Sequence, residues 1–308
     1  MQLKGDGMSE LVCYKTMPVW DKASLPLMFQ DRHNTKEDTY AQLRVLAGTL
    51  DFIIFADDGS EQKFTFDVNN QPPLIAPQVW HRIAACSDDM QCQLSFLCQP
   101  EIKFYKEYGL TIPHSEVRFL CENHLSQPCK TLDLGSGRGR NSFYLALQGY
   151  DVTAVDINPQ HIQAIEFVKR QAEIENIKTA VYDINSHQIK GDYDLIISTV
   201  VLMFLQRENI ANVIADMQAH TLSGGINLIV CPVETPDAPL DLIPFKCFLK
   251  AGELQEYYQD WEILKYNEDP GHLHRTDADG NRIKLNFATL IAKKNNIIAG
   301  YMSIPLNH

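Results

Sequence analysis

The feature that most constrains the fold is the stretch from Thr131 to Asn141, TLDLGSGRGRN. It joins a short apolar run that ends in an acid to three glycines at alternate positions. An apolar strand followed by a glycine-rich turn and a helix is typical of a βα unit whose turn lets a nucleotide approach the backbone. The stretch therefore predicts a parallel sheet that carries a nucleotide cofactor beside its first strand.

The chain after this loop continues to alternate strands and helices, as βαβ units require. Asn158 and Pro159 supply an N-cap and a first-turn proline for a helix with Ile162, Ile165 and Val168 on one face. A helix over about 115–126 precedes the first strand, and another runs to about 220. The strands are predicted at 130–134, DVTAVDI, TAVYDI, YDLIIST and INLIVCPV, the last after the turn SGG; a short helix KAGELQEYYQ precedes two closing antiparallel strands, WEILKYNED and NRIKLNFATLIAKK.

The region before residue 100 has a different pattern, in which short β-type runs alternate with turn clusters such as DDGS and NNQPP. It predicts a small all-β sandwich or barrel. We assign residues 8–99 to this domain, 100–114 to a linker or lid, and 115–294 to the α/β domain. The segments 1–7 and 295–308 are expected to be non-native flanks, because Met8 offers a second start and LIAKK is a natural strand end.

The glycine spacing bears on which nucleotide is bound. A dinucleotide site has G-x-G-x-x-G, but here the position of the third glycine is Arg140. Asp156, at the tip of the second strand, suits the ribose hydroxyls of either cofactor class. Asp133 discriminates between them, because a buried carboxylate repels a pyrophosphate and attracts the ammonium and sulfonium of S-adenosylmethionine. An NAD-dependent oxidoreductase is therefore disfavoured.

At these residues the chain resembles class I S-adenosylmethionine-dependent methyltransferases, over roughly residues 105–294. The resemblance implies a Rossmann-like doubly wound sheet closed by an antiparallel hairpin. It implies that the glycine loop approaches the methionine part, that Asp156 holds the ribose, and that Asp183 meets the adenine between Ile157 and Ile184. The cofactor-binding residues predicted on this basis are Tyr108, Asp133, Gly135, Ser136, Gly137, Asn141, Asp156, Ile157, Asp183, Ile184, Thr199 and Val200.

The resemblance is more specific to the tellurite-resistance methyltransferase family TehB, in its long form with an N-terminal β domain. It rests on DLGSGRGRNSFYLA, ISTVVLMFL, GGINLIV and GHLHRTDADGNRIKLNFATLIAKK, and in the β domain on LPLMFQDRHNTKEDTYAQLRVLAGTLDF. It implies methylation of tellurite and selenite. We expect His274, Arg275 and Arg282 to be catalytic, since Arg grips an oxyanion in two-pronged fashion.

Other interpretations of the same residues stay open. TDADGNR also reads as a plain hairpin turn in which Arg282 pairs with a neighbouring aspartate. The acceptor could be a thiol or another small molecule, or the chain could be a non-catalytic sensor. Tyr108, with His114 and Ser115, is either a lid or a packing segment, and Met203 and Phe204 wall the acceptor pocket or belong to the core.

The amino-acid composition limits the kinds of binding partner that the protein can have. The net charge of −12 disfavours nucleic acid, and no apolar run approaches the length of a bilayer crossing. A cytoplasmic protein with a small-molecule oxyanion substrate is expected, and its eight cysteines, without a C-x-x-C pair, should be reduced thiols.

The β domain raises the question of a metal. His33, Glu37 and His81 loosely match a cupin-like metal site, but the chain lacks a His-x-His pair, and we predict no metal. A small ligand, a second subunit in a homodimer, or shielding of the α/β domain are the remaining roles.

Overall fold

The computed structural model of the chain describes residues 11–56, 58–236, 238, 243–276 and 280–296, without the side chains of His274 and Arg275. The chain divides into two compact units after Thr111. The first unit holds antiparallel sheets, and the second holds a mixed seven-stranded sheet with helices. The predicted fold class is thereby confirmed. In the described part of the chain, no helix is long and apolar enough to cross a membrane.

The first unit contains two three-stranded antiparallel sheets, with strand orders β1-β6-β2 and β4-β3-β5. The sequence pattern did not single out β1 or β5. In β1 the register against β6 shifts twice, and each shift interrupts the alternation of apolar and polar residues by which a strand is predicted. The strands are β1 Val12–Asp21, β2 Tyr40–Ala47, β3 Leu50–Phe55, β4 Glu61–Phe66, β5 His81–Cys86 and β6 Gln91–Cys98.

Buried side chains from both sheets share one core in this unit. Trp20, Val45 and Leu94 come from the first sheet, and Phe52 and Ile83 come from the second. Two antiparallel sheets that bury their inner faces against each other form a sandwich. The segment predicted as a linker contains a short helix, α1 Lys103–Glu107, that contacts β1 within the first unit.

The second unit is built on a sheet of strand order β12-β13-β11-β10-β7-β8-β9. The five strands from β11 to β9 are parallel, while β13 and β12 are antiparallel and close one edge. The strands are β7 Lys130–Leu134, β8 Asp151–Asp156, β9 Ile177–Val181, β10 Tyr193–Thr199, β11 Thr221–Pro232, β12 Glu262–Thr276 and β13 Arg282–Lys293. The predicted closing hairpin is confirmed.

In this unit α4 begins at its predicted cap, and two other helices are shorter than predicted. Asn158 accepts a hydrogen bond from the Gln160 amide at 2.9 Å and begins α4, whose buried side chains are Ile162, Ile165 and Val168, as predicted. The helices are α2 Ser115–Asn123, α3 Arg140–Leu147, α4 Pro159–Gln171, α5 Ile210–Ala219 and α6 Glu253–Tyr257. The predictions of helix to residue 126 and over the whole of KAGELQEYYQ were therefore too long.

Three strand predictions also need correction. The second strand ends at Asp156, and the third ends at Val181, so that Ile184 lies in a 3-10 turn. The predicted turn SGG lies inside β11, where the register against β10 shifts after Tyr193. A bulge accommodates glycines within a strand, so local turn propensity was overridden by sheet pairing.

Candidate functional site

The topology locates a crevice at the carboxyl ends of β7 and β10. The chain leaves β7 toward β8 and β9 on one side, then returns to β10 on the other side of β7. Such a reversal of strand order opens a crevice at the carboxyl edge of a parallel sheet, where ligands bind in open α/β folds. The glycine loop leaves β7 at this point, and Val200 and Val201 leave β10 beside it.

Backbone hydrogen bonds fix the conformation of the glycine loop. The amides of Gly135 and Ser136 both donate to the Val155 carbonyl at 2.9 Å, and Gly137 donates to Asp156 Oδ2 at 2.8 Å. Gly135 has a φ of +83°, which side-chain-bearing residues rarely adopt. A Cβ at Gly135 would also lie 2.5 Å from Val201 Cγ2, so the close approach of the two loops requires glycine. A Cβ at Gly137 would meet no described atom within 4 Å, which leaves that side of the loop open.

Asp133 is buried at the end of β7, with 1% of its surface exposed. Its Oδ2 accepts a hydrogen bond from Ser142 Oγ at 2.5 Å. Burial raises the pKa of Asp133 to about 6, while the Ser142 hydroxyl and the Arg140 guanidinium oppose that rise. The carboxylate is thus held where its charge is costly, and a bound cation would relieve that cost.

Asp156 lies at the tip of β8 and organises the neighbouring loop. Its Oδ1 accepts from the Asn158 amide at 2.8 Å and lies 3.1 Å from His161 Nδ1. With Gly137 on Oδ2, both oxygens anchor backbone around the crevice. Oδ2 has one such contact and a second lone pair, so it retains capacity for a hydroxyl group of a ribose.

The predicted adenine residues differ in their surroundings. Asp183 is exposed, and its Oδ1 accepts from the Asn185 amide at 2.9 Å and from Asn185 Nδ2. Ile157 is 61% exposed, whereas Ile184 is buried in the main core of the unit. The exposed Ile157 is available as an apolar surface for a ring, whereas Ile184 is part of the core; the role of both at the adenine stays a prediction.

Asn141 and Thr199 contact each other instead of facing a ligand alone. Asn141 Nδ2 donates to Thr199 Oγ1 at 2.9 Å, and Asn141 Oδ1 accepts from the His114 amide at 2.9 Å. This chain of contacts ties the beginnings of α2 and α3 to the end of β10. We therefore interpret the two residues as positioning groups within the predicted site.

The backbone at Val200 is strained. Its φ is +61°, an outlier for a β-branched residue, and its amide donates to the Val230 carbonyl at 2.7 Å. Strained residues of this kind cluster at ligand sites, where surrounding structure fixes them. Val200 lies directly after β10, at the crevice, and its role in cofactor binding stays a prediction.

Two buried hydroxyl groups in this region lack partners. Among the described residues, Ser136 Oγ and Ser198 Oγ make no hydrogen bond although both are buried. An orphaned buried hydroxyl costs free energy that a polar ligand can recover. Together with Asp133 and the open side of Gly137, these groups fit a polar, cationic nucleoside cofactor.

Arg140 is absent from the predicted site residues, but in the structure it interacts electrostatically with Asp133. Arg140 opens α3, is half-buried, and attracts Asp133; burial lowers its pKa. His114, half-buried at the cap of α2, has its pKa lowered to about 4, first by burial and then by the Arg140 charge. The sequence could have indicated Arg140, because this arginine occupies the position of the third glycine at the amino end of a helix. A positive charge is unusual there, since the helix dipole disfavours it.

The hairpin of β12 and β13 extends beyond the carboxyl edge of the sheet. Phe287 pairs with Pro232 at the end of β11, and Arg282 lies five residues further along the hairpin. At about 3.4 Å per residue, the tip projects roughly 17 Å past that edge. His274 and Arg275 are on this segment of β12, but their side chains lie outside the described residues.

Arg282 is described, and its guanidinium binds backbone across the hairpin. Its Nε donates to the Leu273 carbonyl at 2.9 Å, and Nη2 donates to the His272 carbonyl at 3.4 Å. The aspartates suggested as its partners, Asp277 and Asp279, lie outside the described residues. Arg282 is exposed at the hairpin tip.

Met203 and Phe204, which follow β10, differ in their exposure to solvent. Met203 is 1% exposed, which favours the alternative of a core role. Phe204 is 47% exposed and packs edge to face on Phe245 at 5.3 Å. The Met203 carbonyl accepts from the amides of Lys246 and Cys247, which holds this aromatic pair in place.

Two predictions concern the first unit. Tyr108 belongs to it, and its ring packs on Phe104 at 4.9 Å; its role toward the cofactor stays a prediction. His33 and His81 lie with ring centroids 4.3 Å apart, but the Glu37 carboxylate contacts Gln78 instead. In the described part of the chain, no group of three or more potential ligands is arranged for a metal ion.

Comparison with known proteins agrees with the geometry. A family model described as tellurite resistance protein TehB matches residues 96–291, and one described as TehB-like domain matches residues 15–94. The chain is 48% identical over 287 residues to a probable S-adenosyl-L-methionine-dependent methyltransferase TehB of Haemophilus influenzae, covering 93% of this chain and 99% of that protein. A hemagglutinin 1 of Eikenella corrodens is 44% identical over 220 residues, or 71% of this chain and 72% of that protein. The crystal structure of TehB from Haemophilus influenzae is 47% identical, with a TM-score of 0.68 over 93% of this chain and 99% of that one.

Proposed function

Because the chain belongs to the TehB tellurite-resistance family of S-adenosylmethionine-dependent methyltransferases, we propose that it methylates tellurite, and also selenite, with S-adenosylmethionine as the methyl donor. The observation that carries the proposal is the position of the β12–β13 hairpin tip, with Arg275 and Arg282, at the carboxyl edge of the sheet that holds the cofactor crevice. The sequence between these arginines also contains Asp277 and Asp279, so the attraction for an oxyanion rests on the guanidinium groups themselves and not on a net positive charge of the tip. The net charge of −12 disfavours nucleic acid, and eight free cysteines suit the reducing cytoplasm.

The charges in the crevice suggest how the cofactor is oriented. Asp133 would accept the ammonium group of the methionine part, and Arg140 would face its carboxylate. Asp156 would accept the ribose hydroxyls, while Asp183 and Ile157 would hold the adenine. S-adenosylmethionine supplies an electrophilic methyl group on a sulfonium, so the protein has to position both reactants and exclude competing nucleophiles.

The reaction we propose is an in-line displacement at the methyl carbon. The lone pair on tellurium or selenium forms the new bond to carbon, and the electron pair of the carbon–sulfur bond remains on sulfur. A strong general base is unnecessary, because the oxyanion arrives deprotonated. Alignment of nucleophile, carbon and sulfur supplies about 7–11 kcal/mol in favourable cases. Arg275 and Arg282 would hold the substrate oxygens, and His274 would donate a hydrogen bond or transfer a proton.

A thiol is the second candidate acceptor. Phe204 is 47% exposed and forms an aromatic wall with Phe245, which suits an apolar thiol better than a hydrated oxyanion. Release of S-adenosylhomocysteine should therefore be measured with tellurite, selenite and 2-mercaptoethanol under identical conditions. Turnover that depends on tellurite supports the proposal, and turnover with the thiol alone contradicts the substrate while retaining the methyltransferase.

The substitution Arg275→Ala tests the anion-binding role of the hairpin. We expect kcat/KM for tellurite to fall roughly 10- to 100-fold, because a charge-assisted hydrogen bond contributes about 1.5–3 kcal/mol. The affinity for S-adenosylmethionine, measured by calorimetry, should stay unchanged. Arg170→Ala, at the end of α4, is a control of equal charge change. An equal loss of cofactor affinity in Arg275→Ala would indicate structural damage instead.

A further inference from the structure

The first unit contains a cavity of about 430 Å³, and none of its lining residues has a role in the proposed methyl transfer. It lies between the two sheets of the sandwich, and its lining comes from β1, β2, β3, β5 and β6 together with the segment 28–39, Ile75 and Lys106. Cavities of a few hundred cubic ångströms hold small organic molecules. Every lining residue belongs to the first unit, so the site is complete within it.

Most residues of the cavity wall are apolar, and several of them are aromatic. Trp20, Phe29, Phe52 and Phe96 line it, and the rings of Trp20 and Phe29 lie 5.2 Å apart. Well-packed cores leave few voids larger than a water molecule. A cavity of this size with aromatic residues in its wall can therefore hold an apolar group of a ligand. That group would make van der Waals contacts with the wall that no protein atom makes.

Two histidines present acceptors in this cavity. His81 Nδ1 lies 2.7 Å from the Val79 carbonyl, and His33 Nδ1 lies 2.9 Å from the Asp31 carbonyl. A carbonyl only accepts, so each Nδ1 carries the proton and donates, which leaves Nε2 as the acceptor of a neutral ring. Burial lowers the pKa of His81, while its hydrogen bond to the Val79 carbonyl opposes that shift and the neighbouring His33 adds to it.

A buried hydroxyl in the lining points independently to a ligand. Thr35 is 8% exposed, and its Oγ1 has no hydrogen-bond partner among the described residues. A hydroxyl that is buried without a partner costs about 1–3 kcal/mol. A ligand with a polar group at this point would satisfy it.

The charge of the lining indicates the sign of the ligand. Among the described residues, the lining contains Lys15, Lys36 and Lys106 and no acidic side chain. Lys106 Nζ donates to the Glu37 carbonyl at 2.6 Å and to Thr39 Oγ1 at 3.0 Å, so one of its three protons remains available. In a chain with 39 acidic and 27 basic residues, this local excess of cations favours an anion.

We propose that the first unit binds a small amphipathic organic anion, with an aromatic body among Trp20, Phe29 and Phe52 and a carboxylate near Lys106 and Thr35. The apolar wall distinguishes this ligand from tellurite, which has no apolar surface to bury. The site is separate from the methyl-transfer chemistry and does not rest on the proposed substrate.

The proposal is tested with the full chain and four probe molecules that differ in whether they carry an aromatic ring and in the charge of their polar group. These are 3-phenylpropionate, its uncharged amide, 3-phenylpropylamine and acetate, titrated by calorimetry at millimolar concentration. We expect 3-phenylpropionate to bind at least about tenfold more tightly than the amide, since a charge-assisted hydrogen bond contributes more than about 1.4 kcal/mol. Acetate and the amine should bind more weakly still.

Two variants and one control assign the preference to the cavity. Lys106→Met and Thr35→Val should each reduce the preference for the anion to about threefold or less while the variants retain a cooperative melt. Lys22→Met removes a surface lysine that pairs with exposed Asp88 and should leave the preference unchanged. The wild-type probe series needs no variant, so the proposal stays testable if Lys106→Met does not fold.

Three results would overturn the proposal. The first is a failure of 3-phenylpropionate to bind at these concentrations, and the second is equal affinity for anion, amide and amine. The third is binding that disappears with a chelator, because it would assign the two histidines to a metal ion. None of these results affects the assay for tellurite methylation, so the two proposals succeed or fail independently.

Discussion

Gly135→Ala is expected to abolish measurable binding of S-adenosylmethionine. The alanine Cβ would lie 2.5 and 2.6 Å from the two methyl carbons of Val201, and the residue would have to keep a φ of +83°. The left-handed conformation costs roughly 1–2 kcal/mol and overpacking a further 1–3 kcal/mol. Val200, already strained at a φ of +61°, leaves the facing loop little freedom to retreat. The glycine loop therefore has to move, which we expect to weaken cofactor affinity by roughly 100-fold or more.

A matched control separates backbone strain from loss of the site. Gly149 has a φ of +92°, and a Cβ there would come no closer than 3.5 Å to Pro128. Gly149→Ala should therefore lower the free energy of unfolding by the conformational cost alone, about 1–2 kcal/mol, and leave the calorimetric affinity for S-adenosylmethionine intact. Adding Val201→Ala to Gly135→Ala should restore part of the affinity. Normal cofactor binding by Gly135→Ala would disprove the close approach of this loop to the cofactor.

Asp133→Asn is expected to change cofactor binding and stability in opposite directions. Loss of the carboxylate charge should weaken S-adenosylmethionine binding by roughly 10- to 100-fold, because a hydrogen bond to a charged group contributes about 1.5–3 kcal/mol. Asparagine retains an oxygen that can accept from Ser142 Oγ. Without cofactor, the variant should be more stable than the wild type at pH 7, since it no longer buries an ionised group.

The pH dependence of the wild type follows from the same carboxyl group. Its pKa is raised to about 6, above the ordinary value near 3.8, so ionisation opposes folding. The stability of the cofactor-free protein should therefore fall as the pH rises from about 4 to about 6. The cofactor cation prefers the ionised form, so its affinity should rise over the same range and level off above pH 6.

Calorimetric titrations between pH 5 and 7.5 check this prediction, with thermal unfolding of the cofactor-free protein as the second measurement. In Asp133→Asn the change in affinity across this range should disappear. Asp194→Asn alters an aspartate near the amino end of β10, where it accepts from the Lys130 amide at 3.2 Å, and should retain the pH dependence. Equal pH profiles in the wild type and Asp133→Asn would assign the titration to another group.

Local patterns were sufficient to predict the architecture. The alternation of strands and helices, the glycine loop and the Asn158 cap are encoded in neighbouring residues, and they predicted the parallel sheet and its closing hairpin. The change to short β runs before residue 100 predicted the separate all-β unit. Errors arose where sheet pairing overrode local propensity, as in the strand that passes through Gly224 and Gly225.

The state of each site residue required the tertiary structure. Sequence identified Asp133, but only its complete burial raises its pKa, and only folding brings Asn141 to Thr199, 58 residues away. The pairing of His33 with His81 across the β unit likewise depends on strands distant in sequence. The physical reason is that periodicity and capping act over a few residues, whereas desolvation, electrostatic attraction and cavities depend on groups that the chain brings together only when it folds.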